Sequence, residues 1–165
     1  GAAPGILPIG GVTVGDVICF EVAYDDVIRA VVDGGAQLIT VQTNNATYGG
    51  TAQPDQQFAI ERLRARETGH TVVVASTTGI SGVIRPDGSA DHVMSQGAVG
   101  SRVSQVLLSD TRAPGSIVGP WIELLICASA AVAVILGAGM ARTARRRRGG
   151  QPASSGESAA PYGIA

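Results

Sequence analysis

Residues Ile117 to Met140 carry a single charged side chain, Glu123, in a run of 24. At 1.5 Å per residue such a helix is about 36 Å long, more than the ~30 Å hydrocarbon core of a bilayer. Trp121 stands near one end, and Arg142 with Arg145–Arg148 closes the other. The arginine end is expected on the cytoplasmic side, which puts residues 1–112 outside. The run therefore divides the chain into a domain at 1–112, a transmembrane helix at 113–141 and a basic stop-transfer segment with tail at 142–165. The tail is rich in Ser, Ala, Gly and Pro and is expected to be disordered. Charged residues are only 15% of the chain, against a usual ~25%, and the mean hydropathy is positive. Five of the twelve basic residues lie in Arg142–Arg148. Beside a membrane span they read as an anchor, which argues against nucleic acid as a partner.

The segment before the span alternates strand and helix patterns. Gly1–Gly11 reads as an entering loop, and Gly1 in place of an initiating Met leads us to expect a fragment or processed product. Val12–Val14 and Asp16–Phe20 have the β-branched and aromatic content of strands. From Asp25 apolar residues recur at helical spacing, with Asp25 and Asp26 in the favoured first turn, until Asp33-Gly34-Gly35. Gln37–Thr43 predicts a central strand and Asn44–Gly50 a polar loop. Pro54-Asp55 opens a helix to about Gly69, whose Glu and Arg residues read as a solvated face. Thr71–Ala75 predicts a strand, Arg85-Pro86-Asp87-Gly88 a hairpin turn, and Asp91–Ser95 and Val103–Ser109 the last strands. This order defines an α/β layered domain. His70 and His92 read as surface or turn residues.

A strand that ends on a cysteine and turns at once into a helix exposes a thiol at the sheet edge. Val14-Gly15-Asp16-Val17-Ile18-Cys19-Phe20-Glu21 has that pattern, so Cys19 is the candidate nucleophile, with Glu21 close by. The usual fate of a free cysteine is a small buried apolar side chain. A disulfide to Cys127 would have to reach into the apolar run. No Cys/His cluster has metal-ligand spacing, and neither metal nor cofactor is expected.

Three segments in this order, Ile18-Cys19-Phe20-Glu21, Thr43-Asn44-Asn45-Ala46-Thr47-Tyr48-Gly49 and Ser76-Thr77-Thr78-Gly79-Ile80-Ser81, resemble the nitrilase (carbon–nitrogen hydrolase) superfamily. The helix with Gln57, Arg62, Arg66 and Glu67 and the Pro86-Asp87-Gly88 hairpin are also similar. Within that superfamily, a membrane helix ending in arginines resembles the apolipoprotein N-acyltransferases. The resemblance implies an αββα sandwich with a Glu-Lys-Cys triad, in which Cys19 is the third member. The chain contains no lysine, so the resemblance implies the C-terminal half of such a sandwich, one transmembrane helix and a tail. The upstream half, in cis or as a separate chain, would supply the glutamate and the lysine.

The implied reaction takes an acyl group from a membrane phospholipid onto Cys19 as a thioester. It then passes to the N-terminal diacylglyceryl-cysteine of an apolipoprotein, on the outer face of the cytoplasmic membrane. Glu21 is the family-matched acid beside the nucleophile, and Phe20, Asn44, Asn45 and Tyr48 are candidates for shaping the substrate pocket. Phe20 stands where these enzymes commonly show tyrosine. Asn45-Ala46-Thr47-Tyr48 replaces their usual Asp-Ala-Trp-Phe. Two other readings stay open: a membrane-tethered amidase with water as acceptor, and a split or inactive half that needs a partner.

Overall fold

The computed structural model describes residues 3–149, and the expected disordered tail beyond Gly149 lies outside them. The chain divides into two compact units, residues 1–120 and 121–165. The first is built on a six-stranded sheet in sequence order: β1 Ile6–Ile9, β2 Val12–Ile18, β3 Leu38–Thr43, β4 Val72–Ser76, β5 Ser81–Ile84 and β6 Ala90–Met94. β2, β3 and β4 run parallel, and the flanking pairings are antiparallel. Helices α1 (Asp25–Asp33) and α2 (Gln53–Thr68) make the two crossovers.

Local chemistry sets the boundaries. Gly10 and Gly11 have φ of 58° and 86°, the pair of positive values that a two-residue hairpin turn requires. The expected entering loop is therefore strand β1, and the overlooked sign was this Gly-Gly pair. α1 ends where the N–H of Gly35 bonds the Val32 carbonyl and that of Ala36 the Val31 carbonyl. Gly69, at φ 72°, closes α2. The two short strands expected at Val12–Val14 and Asp16–Phe20 are one continuous strand that stops at Ile18, because Cys19 leaves the extended conformation.

Both helices cover one face of the sheet. Val17, Ile39, Val41, Val72, Val74 and Ile84 meet Ile28, Val31, Val32 and Ala65 there in one buried cluster. Gly15 belongs to this face because α1 lies against it: a Cβ would come within 2.9 Å of Ala36 Cβ and 3.0 Å of Val31 Cβ. The opposite face carries Leu7, Ile9, Val12 and Ile18 beside Asp16, whose carboxylate accepts bonds from Thr40 Oγ1 and Gln42 Nε2, both at 2.8 Å.

Residues 103–109 form no strand. Their N–H and carbonyl groups make isolated bonds, Ser109 N–H to the Gln37 carbonyl at 3.0 Å and the Leu107 carbonyl from Thr71 Oγ1 at 2.8 Å. Val103 and Leu107 stay exposed, so the apolar pattern buries no face and pays for no ladder. His70 is also not a surface residue. It is buried, with Nδ1 2.8 Å from the Thr68 carbonyl oxygen.

Helix α3 spans Pro114–Gly149. Its stretch Pro114–Met140, whose most apolar 18 residues have a mean hydropathy of 2.2, is long and apolar enough to cross a membrane by length and composition. Cys19 and Cys127 are both free.

Filling the close approach at Gly15 tests this packing. Gly15→Val is expected to cost about 2 kcal/mol of stability through overpacking against α1, read by urea unfolding of the detergent-solubilised chain.

Candidate active site

β2 delivers Cys19 to the end of the sheet, and a 3-10 turn over Cys19–Ala23 carries the chain toward α1. Cys19 has φ 54°, in the left-handed region, a conformation that costs a non-glycine residue about 1–3 kcal/mol and is held only by its surroundings. Two sets of bonds hold it. On the outer side, Glu21 Oε2 accepts the Ile18 N–H at 3.0 Å, and the Glu21 carbonyl accepts the Tyr24 N–H at 2.9 Å. On the inner side, Arg64 of α2 donates from Nε to the Val22 carbonyl at 2.8 Å and from Nη2 to the Ala23 carbonyl at 2.7 Å. The same guanidinium pairs with Asp25 at 2.5 Å and Glu67 at 2.6 Å. Burial works against the Arg64 charge, but these two carboxylates outweigh it and hold the guanidinium above its ordinary range.

The sulfur meets the protein through Thr43, at the end of β3, whose Oγ1 lies 3.1 Å from Cys19 Sγ. A polar chain continues inward. Thr43 Oγ1 and Ser76 Oγ approach Asn45 Oδ1 at 3.3 and 3.4 Å. Asn45 Nδ2 donates to Gln53 Oε1 at 3.2 Å and to Gln57 Oε1 at 3.0 Å. Gln57 Nε2 then donates to Glu61 Oε1 at 3.0 Å. Gly79 closes against this chain, since a Cβ there would overlap Asn45 Oδ1 and Ser76 Oγ. Glu61 is 1% exposed, and its Oε2 has no hydrogen-bond partner among the described residues. Loss of water pushes its carboxyl up from 4.5 to about 7, against the opposing effect of the Gln57 bond.

The candidate residues thus separate into groups. Cys19 and Asn45 are joined through Thr43. Asn44 is exposed, its Oδ1 accepting from the Ala46 N–H and from Thr78 Oγ1, both at 3.0 Å. Phe20 and Tyr24 are exposed and meet edge to face, with ring centroids 6.4 Å apart. Tyr48 is exposed on the following turn. Glu21 braces its own turn and has no hydrogen bond to Cys19 among the described residues; it lines a shallow groove with Asp16 and Asp26.

Sequence reasoning missed Thr43, Glu61 and Arg64. The α2 charges are not all a solvated face, because Glu61 and Arg64 are buried. A usable sign was the spacing of Gln57, Glu61, Arg64 and Thr68, which puts all four on one stripe of a helix. Among the described residues no group of three or more His, Cys, Asp or Glu is placed to hold a metal ion.

A strained cysteine on a strand-to-helix turn, with a hydroxyl on its sulfur, is a geometry suited to nucleophilic attack on a carbonyl. The family model described as carbon-nitrogen hydrolase matches residues 4–125, and the chain belongs to that family. Over 136 residues it is 38% identical to an apolipoprotein N-acyltransferase of Mycolicibacterium smegmatis, covering 82% of this chain and 23% of that one. A protein of the same name from Gloeobacter violaceus is 36% identical over 142 residues, covering 86% and 26%. The chain spans about a quarter of the length of these curated relatives. A mutant amidase of the nitrilase superfamily from Nesterenkonia AN1 shares the fold, with a TM-score of 0.51 at 24% identity over 74% of this chain and 46% of that one.

Two substitutions test the supports of the turn. Arg64→Met is expected to destabilise the chain by about 2 kcal/mol by leaving the Val22 and Ala23 carbonyls and Glu67 without their donor, read by denaturant unfolding. For Glu61, the folded state keeps a proton between about pH 4.5 and 7 that the unfolded chain has lost. Its contribution is therefore most favourable below 4.5 and falls as pH rises through 7, by about 3 kcal/mol in all. Unfolding free energies at about pH 5 and about pH 8 should show this loss in the native chain and not in Glu61→Gln.

Proposed function

We propose that this chain is the nucleophile-bearing part of an apolipoprotein N-acyltransferase, with Cys19 as the nucleophile. The observation that carries the reading is the Cys19 turn itself, at φ 54° and with Thr43 Oγ1 on its sulfur. It lies inside the stretch matched by the family model and is supported by the similarity to the named relatives.

In the first step the Cys19 thiolate attacks the ester carbonyl of a phospholipid. The C–S bond forms, the ester C–O bond breaks, and the lysophospholipid oxygen takes a proton. In the second step the α-amine of a diacylglyceryl-cysteine attacks the thioester. The C–N bond forms, the amine gives up a proton, and the thiolate leaves. Each step passes through an oxyanion that needs donors or a cation beside it. The family's general base and lysine are not among these residues, and an upstream half of the same domain would supply them. That half would cover the sheet face that carries Leu7, Ile9 and Asp16 and complete the αββα sandwich.

Residues 1–112 then form the catalytic part on the outer face of the cytoplasmic membrane, 113–141 the span and 142–165 the cytoplasmic tail. Exposed Ile18, Phe20 and Tyr24 flank the nucleophile and favour an acyl chain over a small polar amide as substrate. Phe20 and Tyr48 would contact that chain, Asn44 and Asn45 would shape the pocket, and Glu21 would keep the turn in place. The amidase reading draws on the Thr47 loop, where the enzymes' usual tryptophan is missing.

Membranes holding the protein together with its upstream half, supplied with phospholipid, should yield an acyl adduct on the Cys19 peptide by mass spectrometry and lysophospholipid in equal amount. Cys19→Ala should abolish both. Activity surviving that change, or ammonia released from small amides without lysophospholipid, would overturn the reading.

A further inference from the structure

Glu61 is a buried acid that the proposed reaction does not use, yet an unbroken set of hydrogen bonds joins it to the nucleophile's sulfur. The polarity of that set follows from donor and acceptor chemistry. An ionised carboxylate can only accept, so Gln57 turns its Nε2 toward Glu61 and its Oε1 toward Asn45. Asn45 must then donate from Nδ2 to Gln57, which leaves Oδ1 facing Thr43 and Ser76. The Thr43 hydroxyl has one proton and two acceptors within reach, Asn45 Oδ1 at 3.3 Å and Cys19 Sγ at 3.1 Å. With Asn45 presenting oxygen, that proton is drawn from the sulfur, and the thiol form of Cys19 can donate to Thr43.

We propose that Glu61 is a positioning residue for Cys19, acting through Gln57, Asn45 and Thr43: its charge state sets which way the two amides face, and so whether the Thr43 proton lies toward Asn45 or toward the sulfur. The proposal rests on the reading of Cys19 as the nucleophile. A neutral Glu61 can donate to Gln57 Oε1. Both amides then turn over, Asn45 offers Nδ2 to Thr43, and the Thr43 proton points at Sγ, where it stabilises a thiolate. No net proton passes along the set; Glu61, Gln57, Asn45 and Thr43 reorient, and Gln53, which accepts from Asn45 Nδ2 and donates to Gln57 Oε1, turns over with them. The unpartnered Oε2 and the position of Glu61's carboxyl near neutrality allow both states.

Among the described residues, the elements packed on α2 bring no other group that explains such a coupling. α2 packs on the Cys19–Ala23 turn, β4 and β5. The turn brings Cys19 and Glu21, and the two strands bring no titratable side chain. On α2 itself, Arg62 donates to the Gly88 carbonyl and Arg64 to the Val22 and Ala23 carbonyls. No ion pair joins either to Glu61 among the described residues.

The test is the rate at which iodoacetamide alkylates Cys19 in the detergent-solubilised full chain, followed peptide by peptide so that Cys127 is read separately. Glu61→Gln can turn over freely, and it should alkylate about threefold faster at neutral pH. In a Thr43→Val background the same change should have no effect, and Thr43→Ser should restore it. An acceleration that persists with Thr43→Val would mean charge acting through space and would overturn the proposal. So would a Glu61→Gln chain with native circular dichroism and an unchanged rate. Should that variant fail to fold, the native chain decides: its rate must depart from a single titration near pH 7, and the departure must vanish in Thr43→Val. Coupling without an acyl adduct would sink the acyltransferase reading alone; an adduct without coupling would sink this proposal alone.

Discussion

Behind the Cys19 turn, one guanidinium bonds two backbone carbonyls and two carboxylates at once. Arg64 takes the Val22 and Ala23 oxygens that the irregular turn leaves without intrahelical partners, and Asp25 and Glu67 balance its charge. A carbonyl buried without a donor costs about 1–3 kcal/mol, so the turn can hold its positive φ only while α2 supplies those bonds. The strain at Cys19 and the docking of α2 are two ends of the same contact. The planar five-donor fork of arginine suits this task, whereas lysine has no comparable geometry.

The same helix serves the sulfur from beneath. Its inward stripe is polar where an ordinary amphipathic helix would be apolar: Gln57, Glu61, Arg64 and Thr68 are all buried. Each is satisfied by a group that also matters to the turn or to the loop after β3, except for one oxygen of Glu61. Such a network confers rigidity when complete and is costly when broken. It explains why the loop carrying Asn44 and Asn45 is ordered on one side and open on the other. Asn45 is locked into the network, while Asn44 closes a surface turn.

Much of the architecture was legible in the chain. The helices from Asp25 and Pro54, the strands around Leu38–Thr43 and Val72–Ser76, and the Pro86-Asp87-Gly88 hairpin follow from periodicity and turn chemistry, which are local. Cys19 stood out because a strand pattern broke on it. Errors arose where non-local burial decided the outcome. Val103–Ser109 has strand composition, but no sheet face takes its side chains. His70 and Glu61 look like surface residues by type, but the packing of α2 on the sheet encloses them. Glu21 stands beside the nucleophile as its place in the chain implies, and its carboxylate accepts the Ile18 N–H.

By itself, the sequence determined that this chain alternates strand and helix, that a cysteine sits at a strand-to-helix turn, and that a long apolar run follows. These rest on neighbours within a few residues, where propensity, capping and glycine geometry act. Only the tertiary structure decided that Thr43 reaches the sulfur, that Arg64 clasps the turn, and that Glu61 lies in the dark behind both. Those relations join residues 24 to 42 positions apart, and they depend on which face of α2 meets the sheet. Residue type alone would have turned that face outward.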